Sequence, residues 1–548
     1  MKNKFIVILS GEIAAGKTTL SEGLAQRFGF QHLKTRGALN DLFEKHQENG
    51  SGDQRSNFQV FGEQLDRDSK GAWVRDYFQK QVRNYSKVII DSARILEQIQ
   101  AFRRAYSQYV VHIHLKASPQ KLVKRYLERG LKENRFSTEQ EGLKKYESYK
   151  ADKTEAGIKN LEKEADLIID TGLYQNPEDT ALSAASFLKL LPSIHCQLVD
   201  VIIGGQFGSE GKGQVAAYLA PEYDCLIRVG GPNAGHKVFS IPSPNTYHLL
   251  PSGAKRASEA KIIIGPGAVI NEEVILKEIS QFGIEKDRLL IDENVTIISP
   301  GDIAWEQEHD GIGSTKQGVG KATSENLILR IKGDDTHKAK NSRRLKQYIG
   351  SAHEMYERLY AENKKILLEG TQGTLLSLHH GFYPFVTSRD TTASGCIAEA
   401  GISPKRIRKI VLVARRYPIR VQSPNDGQYS SGPFHSNELT LKEIASRSGI
   451  SIQELEAIET TSTTKRKRRI AEFNWALFRK ACELNSPTDI ALTFADYITI
   501  ENRKAVRYGQ LTPETMRFIE HLERCAGVPT SLIATEFSYR AIIDRRFW

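Results

Sequence analysis

A glycine-rich segment that begins after residue 197 limits the possible folds of this chain more than any other feature. The apolar run from Leu198 to Ile203 suits a buried strand, and it continues directly into Gly204-Gly-Gln-Phe-Gly-Ser-Glu-Gly-Lys-Gly213. Glycines allow backbone N–H groups to approach an oxyanion without interference from Cβ atoms. The segment therefore predicts a strand followed by a phosphate-binding loop, in which Lys212 lies among the phosphates.

A second motif, Arg228-Val-Gly-Gly-Pro-Asn-Ala-Gly-His-Lys237, follows this loop. The two motifs resemble those of the adenylosuccinate synthetases, in which the loop reads Gly-x-Gln-Trp-Gly-Asp-Glu-Gly-Lys-Gly-Lys and the second motif ends in Asn-Ala-Gly-His. The resemblance implies a ligase that transfers the γ-phosphoryl group of a nucleoside triphosphate to O6 of a purine nucleotide. The amine of L-aspartate then displaces that phosphate from C6. The roles it implies are a general acid (His236), a catalytic lysine (Lys212), glycines that bind the triphosphate (Gly208, Gly211, Gly213), a substrate contact (Asn233) and a Mg²⁺ ligand (Gly235).

Ser209 is the main departure from the family motif. The family has an aspartate there, which takes the proton from the purine N1 and helps to bind Mg²⁺. A serine hydroxyl is a neutral ligand and a very weak base, so the exchange should remove general-base catalysis worth roughly 10²–10⁴-fold unless another group replaces it. Ser209 is nevertheless the candidate catalytic and metal-binding residue at this position.

The acceptor purine depends on Ser209. A viral branch of the family, which makes 2-aminoadenine DNA, is similar in having a small residue here, and it uses dGMP. A short, neutral side chain leaves room beside C2 for an exocyclic amine, and the N1 proton then leaves through the substrate phosphate or water. The sequence thus favours a 2-amino purine monophosphate such as dGMP. Two alternatives stay open: IMP, with Glu210 or a water as the base, and a nucleotide-binding regulatory protein whose ligase site is disabled.

The resemblance extends along nearly all of the chain after residue 198. The segments Gly313-Ser-Thr-Lys-Gln-Gly-Val-Gly320, Leu367-Leu-Glu-Gly-Thr-Gln372 and Tyr383-Pro-Phe-Val-Thr387 follow family motifs around the nucleoside monophosphate. The basic run Thr463-Thr-Lys-Arg-Lys-Arg468 matches a family loop that closes on L-aspartate, since paired guanidiniums suit a dicarboxylate. The implied substrate contacts are Thr315, Arg330, Gln372, Thr387, Thr464 and Arg466, and Arg468 is assigned to the triphosphate. The family arginine at the position of Arg330 reaches the phosphate from the neighbouring subunit, which implies a homodimer.

The donor nucleotide is not fixed by the sequence. Where the family has Thr-Lys-Leu-Asp, with the lysine and aspartate contacting guanine, this chain has Thr493-Phe-Ala-Asp496. Asp496 can still accept the N1–H and N2–H groups of guanine, but the lysine is absent. The C-terminal base-contact segment is also changed, from Ser-Thr-Gly-Pro-Asp-Arg to Ala534-Thr-Glu-Phe-Ser-Tyr539. We therefore expect Mg²⁺ together with GTP, or with ATP or dATP.

The first 171 residues carry a separate phosphate-binding motif. Phe5 to Leu9 predicts a strand, Gly11-Glu-Ile-Ala-Ala-Gly-Lys-Thr18 has the spacing of a Walker A loop, and an amphipathic segment follows. This arrangement places backbone amides and Lys17 on the phosphates of a nucleotide and Thr18 on Mg²⁺. The candidate nucleotide-binding residues are Gly11, Gly16, Lys17 and Thr18.

Other charged residues in this region are candidates for the transfer step. A second buried strand ends in Asp91 and Arg94, and a later helix carries Arg125 among further lysines and arginines. Charges on a helix often only face solvent, but small P-loop kinases place arginines here that close over the transferred phosphate. The region resembles the adenylate-kinase and dephospho-CoA-kinase class, and it identifies no acceptor. A helix from Ala181 to Leu191 is predicted to close it.

Composition limits the remaining possibilities. The chain has 548 residues, so we predict an α/β protein with a doubly wound P-loop domain at 1–191, a linker at 192–197 and a larger ligase domain with a parallel or mixed sheet at 198–548. The net charge of +11 suits nucleotide substrates, and no basic tail or aromatic-interleaved stripe indicates nucleic-acid binding. The five scattered cysteines favour a reducing cytoplasm over disulfides or a zinc site. Neither a signal peptide nor a membrane span is expected.

Overall fold

The computed structural model describes residues 5–44, 54–81, 87–151, 157–191, 196–309, 314–423, 431–460 and 467–546. The chain divides into two compact units, Met1–Pro192 and Ser193–Trp548. Each unit is an α/β structure built on parallel strands, which confirms the predicted fold class. Among the described residues, none of the helices combines the length and the apolar character that crossing a lipid bilayer requires.

The first unit contains a five-stranded sheet and helices on both of its faces. Its described strands and helices are, in chain order, β1 (Phe5–Gly11), α1 (Lys17–Phe28), β2 (Gln31–Leu33), α2 (Thr35–Glu44), α3 (Gln54–Ser69), α4 (Trp73–Gln81), β3 (Lys87–Ile90), α5 (Leu96–Tyr106), β4 (Val110–Lys116), α6 (Pro119–Lys132), α7 (Glu139–Lys150), β5 (Leu167–Asp170) and α8 (Pro177–Phe187). All strands run parallel in the order β2-β3-β1-β4-β5.

Strand β1 explains why helices cover both faces of this sheet. Val7 and Leu9 pack in one core with helices α1 and α8, whereas Ile6 and Ile8 pack in a second core with α4 and α5. Successive side chains of a strand point to opposite faces, so a strand that is apolar at every position is buried on both sides. The closing helix begins at Pro177, earlier than predicted, because proline in the first turn loses no intrahelical hydrogen bond.

The second unit is organised around a larger sheet. Its described strands and helices are β6 (Val199–Gly204), α9 (Lys212–Leu219), β7 (Cys225–Arg228), β8 (His236–Val238), β9 (Asn245–Tyr247), β10 (Lys261–Ile264), β11 (Val269–Ile270), α10 (Glu272–Phe282), β12 (Leu289–Asp292), β13 (Thr296–Ile297), α11 (Pro300–Glu308), α12 (Val319–Leu329), β14 (Ile349–Gly350), α13 (Ala352–Ala361), β15 (Ile366–Glu369), α14 (Ala393–Ala400), β16 (Ile407–Arg415), β17 (Ile419–Val421), β18 (Glu438–Leu439), α15 (Leu441–Ser448), α16 (Ile452–Ile458), β19 (Arg468–Ala471), α17 (Trp475–Asn485), β20 (Asp489–Thr493), α18 (Pro513–Ala526), β21 (Thr530–Ala534) and β22 (Ile542–Asp544).

Ten of these strands form one sheet, in the order β14-β12-β10-β7-β15-β6-β16-β20-β21-β22. All neighbouring pairs are parallel except β21 and β22 at one edge. The sheet is therefore mixed, within the range that the sequence predicts. Smaller sheets pair β17, β19 and β18, and pair β8 with β9.

Strand β6 lies near the centre of the large sheet, between β15 and β16, and all of its residues are buried. Its apolar side chains alternate between two cores. Asp200 is the polar exception, and its carboxylate accepts hydrogen bonds from Arg408 (2.9 Å) and Tyr223 (2.6 Å). A well-anchored central strand thus delivers the glycine-rich loop to the carboxyl edge of the sheet, where α/β proteins bind ligands.

Candidate active sites

Each predicted phosphate loop enters its helix through a glycine in the left-handed region. Gly16 precedes α1 with φ 98°, Gly211 precedes α9 with φ 88°, and neither helix has a side-chain cap. The first N–H groups of both helices therefore have no capping side chain to accept their hydrogen bonds. Such a helix end, with its partial positive charge, suits an anion. The strand, loop and helix that the sequence predicts are observed at both motifs.

Glu210 holds the loop of the second unit in shape. It is fully buried, and its Oε1 accepts hydrogen bonds from the N–H groups of Gln206 (3.1 Å) and Gly208 (2.8 Å). Its Oε2 lies 2.6 Å from Nζ of Lys212, which is itself only 2% exposed. These partners occupy the carboxylate, so the geometry does not favour Glu210 as the base for a purine N1 proton. The sequence does not indicate that Glu210 holds the loop in shape, because two of its partners are backbone N–H groups, which every non-proline residue has.

Ser209 lies at the open side of the same loop. Its side chain is exposed, its φ is 56°, and its carbonyl oxygen accepts a hydrogen bond from Arg415 (3.5 Å). Arg415 is fully buried and pairs with Glu459 at 2.5 Å. Glu459 also accepts from Tyr497 (2.8 Å) and pairs with the predicted donor-binding residue Arg468 (3.2 Å). A buried network therefore connects the backbone at Ser209 to Arg468.

His236 begins β8 and contacts the end of β15. Its Nδ1 lies 2.5 Å from Oε1 of Glu369, which also accepts from Ser252 Oγ (2.5 Å) and Arg228 (3.2 Å). Gly213 makes the close approach possible, because a Cβ atom there would come within 2.8 Å of Cβ of His236. The histidine is thus held by a buried carboxylate from a strand far along the chain. The sequence does show Glu369 as an acid at the end of a predicted buried strand. It does not show that Glu369 contacts His236, Ser252 and Arg228.

The charges around His236 set its protonation. Burial and the neighbouring Arg228 guanidinium lower the pKa of His236 to about 4, although Glu369 opposes this shift. Burial alone would raise the pKa of Glu369, but Arg228 and His236 lower it to about 2. Glu369 is therefore an anion at neutral pH and accepts the proton on Nδ1. The structure gives Nε2 no hydrogen-bond partner among the described residues, so this nitrogen is available to a ligand.

The predicted acceptor-side residues are only partly brought together. Gln372 follows β15 and donates a hydrogen bond from Nε2 to Oγ1 of Thr387 (3.2 Å). Asn233 Oδ1 is buried without a hydrogen-bond partner in the part of the chain that the structure describes. Thr315 precedes α12, and Arg330 lies exposed directly after it. Thr464 and Arg466 lie outside the described residues.

The donor-side acid is paired with a cation that the sequence reasoning missed. Asp496 is 7% exposed, and its Oδ2 lies 3.0 Å from Nε of Arg503, whose Nη2 lies 2.7 Å from Glu454. Burial raises the pKa of Asp496 to about 6 despite this pairing. Thr493, three residues earlier, donates a hydrogen bond to the carbonyl of Glu210 (2.5 Å). The end of β20 is therefore fastened to the phosphate loop.

In the first unit, the side chain of the P-loop lysine bonds to the backbone of its own loop. Nζ of Lys17 donates to the carbonyls of Gly11 (2.5 Å) and Glu12 (3.0 Å). Thr18 follows in the first turn of α1. Asp91 follows β3 and accepts a hydrogen bond from the N–H of Thr35 (2.9 Å). This carboxylate thus lies beside β1, at the same edge of the sheet as the loop.

The predicted arginines of the first unit have different surroundings. Arg125 donates to Oγ1 (2.8 Å) and to the carbonyl (2.9 Å) of Thr171, whose Oγ1 donates in turn to the carbonyl of Ala15 in the P-loop (3.1 Å). Arg125 is therefore connected to the loop. Arg94 is exposed, and the hydrogen bond the structure gives it is from its backbone to Gln98. Other basic residues of α6 pair with nearby acids on the surface, namely Lys124 with Glu128 and Arg129 with Glu133.

The fold and the loop geometry define a nucleotide-binding α/β protein with a second, kinase-like P-loop unit. The chain belongs to the adenylosuccinate synthetase family, whose model matches residues 201–332 and 332–503. The adenylosuccinate synthetase of Methanocaldococcus jannaschii is 35% identical over 356 residues, which cover 63% of this chain and 96% of that protein. The second unit is therefore a carbon–nitrogen ligase of the adenylosuccinate synthetase type. A model described as an AAA domain matches residues 7–145.

Two solved structures share the fold of the second unit. One is the cyanophage S-2L succinoaminodeoxyadenylate synthetase (PurZ), bound to dGMP and to dATP as an energy donor; it is 23% identical with a TM-score of 0.53, covering 64% of this chain and 96% of that one. The other is the fully ligated adenylosuccinate synthetase of Plasmodium falciparum, 21% identical with a TM-score of 0.53, covering 64% of this chain and all of that one. At these identities the likeness concerns the fold alone.

Proposed function

We propose that the second unit joins L-aspartate to C6 of dGMP, a 2-amino-6-oxopurine nucleotide. The observation that carries this proposal is Ser209, a short neutral residue that is exposed on the phosphate loop where the family has an acid. The solved structure of the cyanophage enzyme, which holds dGMP, supports the same acceptor. A carboxylate at position 209 would lie where the exocyclic 2-amino group needs room.

The reaction has two steps. O6 of the purine attacks the γ-phosphorus, the bond to the β,γ-bridging oxygen breaks, and a nucleoside diphosphate leaves. The amine of L-aspartate then attacks C6, the C6–O6 bond breaks and phosphate leaves. Lys212 and the loop amides stabilise the charge that develops on the phosphoryl oxygens. Glu369 holds His236 by Nδ1, so that Nε2 can serve proton transfer near O6.

Mg²⁺ would neutralise charge on the phosphoryl oxygens when bound. Ser209 Oγ and the Gly235 carbonyl are the protein oxygens that we assign to it, and both residues are accessible. Neither oxygen is charged, and the described residues contain no group of three or more His, Cys, Asp or Glu side chains that could hold a metal ion. The residues fit a cation whose remaining ligands are phosphate oxygens and water, as is usual for Mg²⁺.

The N1 proton of the acceptor needs a receiver, and Ser209 supplies no carboxylate. Glu210 is occupied by the loop amides and Lys212. We therefore infer that the proton leaves through the substrate phosphate or a water molecule. A buried His236–Glu369 pair argues against the alternative of a binding-only regulatory protein, which has no need of an oriented group for proton transfer. IMP is the alternative acceptor.

We also propose that the first unit is an ATP-dependent kinase. The P-loop, the connection of Arg125 to it through Thr171, and Asp91 at the same sheet edge support this activity. Its acceptor is left open. The presence of both units on one chain fits consecutive steps on a purine nucleotide.

The deciding experiment is a direct assay of the purified full chain with Mg²⁺, L-aspartate and either ATP or GTP. Parallel reactions receive dGMP or IMP, and mass spectrometry detects the succino product. We expect product from dGMP at a higher kcat/KM than from IMP. Product from IMP alone would show that the acceptor is IMP and not dGMP. The absence of product from both nucleotides would favour the regulatory alternative.

A further inference from the structure

Asp66, near the end of α3, is a half-buried carboxylate in the first unit. Its Oδ1 accepts hydrogen bonds from Nε1 of Trp73 (2.6 Å) and from Nε2 of Gln98 (2.9 Å). Two donors occupy the lone pairs of that oxygen. Within the residues that the structure describes, Oδ2 receives no hydrogen bond and Asp66 forms no ion pair. One oxygen of this carboxylate is therefore left for another donor.

The surroundings of Asp66 stabilise its charge incompletely. Burial raises the pKa of Asp66, and the hydrogen bonds from Gln98 and Trp73 and the positive charge of Arg94 only partly offset that effect. A carboxylate that is removed from water and short of donors is stabilised when a ligand supplies N–H groups. Asp66 is thus suited to bind a ligand as well as to link α3 with its neighbouring helices.

Gln98 connects Asp66 to the carboxyl edge of the sheet of the first unit. Gln98 is buried, and its Oε1 accepts the N–H of Arg94 (2.9 Å) while its Nε2 donates to Asp66. Arg94 lies just beyond the end of β3, and β3 pairs with β1, which leads into the P-loop. Gly71 lets the turn after α3 approach α5, because a Cβ atom there would come within 2.7 Å of the Gln98 nitrogen. Asp66 is therefore fixed on the β3 side of the P-loop.

Arg94 supplies the second feature of an acceptor site. Its side chain is exposed, and its guanidinium has no ion pair in the part of the chain that the structure describes. A guanidinium at the carboxyl edge of a parallel sheet suits a phosphate group. Asp91 accepts the N–H of Thr35 (2.9 Å) and lies 3.3 Å from Nε2 of His32, so it is poorly placed to deprotonate a hydroxyl. An acceptor phosphate, which is already ionised, matches this edge better than a nucleoside hydroxyl does.

We propose that the first unit phosphorylates a 2-amino purine nucleoside monophosphate, whose 2-amino group donates to Oδ2 of Asp66 and whose phosphate binds Arg94. This inference rests on the proposed kinase function. A phosphate oxygen of the acceptor attacks the γ-phosphorus of ATP, the bond to the β,γ-bridging oxygen breaks, and ADP and a nucleoside diphosphate result. A purine without the amine presents only a C–H group at C2, which leaves the carboxylate unpaired. The proposed ligase reaction keeps the amine at C2, so its acceptor and the nucleotides made from its product all carry this group.

The test compares purine pairs that differ only at C2. The full chain carries Lys212→Ala, which removes the catalytic lysine of the ligase, and receives Mg²⁺ and ATP without L-aspartate. dGMP is paired with dIMP, and the deoxyribonucleotide of 2,6-diaminopurine is paired with dAMP; chromatography against authentic standards measures the nucleoside diphosphate. We expect kcat/KM to be about 10- to 100-fold higher for the 2-amino member of each pair, because a hydrogen bond to a charged group is worth that much.

Substitutions in the same background assign this preference to Asp66. In Asp66→Asn, the amide oxygen can still accept from Trp73 and Gln98, but an NH₂ group replaces the vacant oxygen, so the ratio within each pair should fall to about one. A role of Asp66 in the fold alone would instead lower activity on all four nucleotides alike. Asp68→Asn changes an exposed carboxylate of the same helix and should leave the ratios unchanged. Arg94→Gln should raise the KM for all four nucleotides and keep the ratios.

The outcomes distinguish this inference from the kinase function on which it rests. If diphosphates form but the two members of each pair react equally, or if Asp66→Asn keeps the preference, the acceptor assignment is overturned and the kinase function stands. If none of the four nucleotides gives a diphosphate, both are overturned. A preference for dGMP over the diaminopurine nucleotide, or the reverse, supports the assignment and shows whether the kinase uses the acceptor of the ligase or a nucleotide made from its product.

Discussion

Ser209 can be tested by restoring the acid of the family. Ser209→Asp should raise turnover of IMP, because a base and a Mg²⁺ ligand return, and should lower turnover of dGMP, because the carboxylate crowds the 2-amino group. We expect the ratio of kcat/KM for dGMP over IMP to fall at least about tenfold, which corresponds to about 1.4 kcal/mol. Steady-state kinetics with both acceptors measures this ratio.

Ser209→Ala is the matched control for this prediction. It keeps the space beside the purine but removes the hydroxyl, so any loss should affect both acceptors and leave their ratio unchanged. The proposal of a 2-amino purine acceptor would be wrong if the ratio of kcat/KM for dGMP over IMP is below one in the wild type and does not change in Ser209→Asp. IMP would then be the substrate.

At the scale of single residues, the motif residues could be read from the sequence and their partners could not. The glycine spacing was enough to locate Lys212 on its loop. Glu369 was missed because it contacts His236 across 133 positions. That contact depends on which strands become neighbours, and local sequence patterns do not encode strand order. Arg503 lies close to Asp496 in the chain, but it belongs to none of the family motifs, so nothing marked it as a partner.

Between strands β1 and β4 lies a buried polar cluster with a pH-dependent consequence. Ser10 Oγ lies 2.7 Å from Nε2 of His112 and 2.8 Å from Nδ1 of His114. Burial lowers the pKa of His112, and burial with the neighbouring His112 lowers the pKa of His114 to about 4. The unfolded chain therefore binds more protons than the folded one between about pH 6.5 and pH 4.

We expect the first unit to lose stability as the pH falls through this window. Stability is complete above the unfolded histidine pKa of about 6.5, and each histidine can remove at most about 1.4 kcal/mol per pH unit below it. Calorimetric melting of the full chain at pH 7.5 and pH 5.5 measures the loss. His114→Gln, which keeps a neutral hydrogen-bonding side chain, should reduce it.

His353→Gln is the control for general effects of removing a histidine, because His353 is 77% exposed. It should leave the pH dependence of melting unchanged. Equal pH dependence in wild type and His114→Gln would show that this buried cluster does not govern acid stability.

At the scale of elements, strands and loops were better predicted than helix ends. Continuous apolar runs such as Leu198 to Ile203 have few alternatives to a buried strand, and both phosphate loops follow such a run. The closing helix of the first unit was placed several residues late because its start is set by Pro177 and not by apolar periodicity. The changed donor segment, Ala534 to Tyr539, gave no hint that Phe537 and Tyr539 pack edge to face against Phe239, because Phe239 follows β8, a strand of a different sheet.

Because each phosphate loop lies within its own compact unit, the two activities should be separable. Lys17→Ala should abolish phosphoryl transfer by the first unit, because the lysine that would contact the nucleotide phosphates is lost. The ligase reaction should continue at close to its wild-type rate. Assaying both reactions in one purified variant checks this, and loss of ligation in a folded Lys17→Ala protein would show that the units are not independent.

The homodimer that the family resemblance implies can be tested by subunit exchange. Arg330 lies at the exposed end of α12 beside Leu327 and Ile331, which are 61% and 80% exposed, and such apolar side chains are typical of an interface. If Arg330 acts on the site of the other subunit, mixing Arg330→Ala protein with His236→Ala protein should restore up to about a quarter of wild-type ligation. This follows because half of the randomly formed dimers are mixed and each of these has one intact site.

The control for this experiment pairs two residues of the same subunit. A mixture of His236→Ala and Lys212→Ala proteins leaves no intact site in a mixed dimer, so it should recover nothing. Native mass spectrometry confirms that the subunits have exchanged. If the mixture of Arg330→Ala and His236→Ala proteins still recovers no ligation, the active site is not shared between subunits.

Because α1 and α9 begin without a side-chain cap, the stability of each unit should depend on whether its nucleotide is bound. Water can bond the first N–H groups of a helix end that has no side-chain cap, and a bound anion replaces that water, so each unit should be more stable with its nucleotide than without it. A ligand that binds only the folded form, present at 100 times its Kd, adds about 2.7 kcal/mol of stability. Removing nucleotide should therefore lower the melting temperature of each unit, and adding it back should restore that temperature.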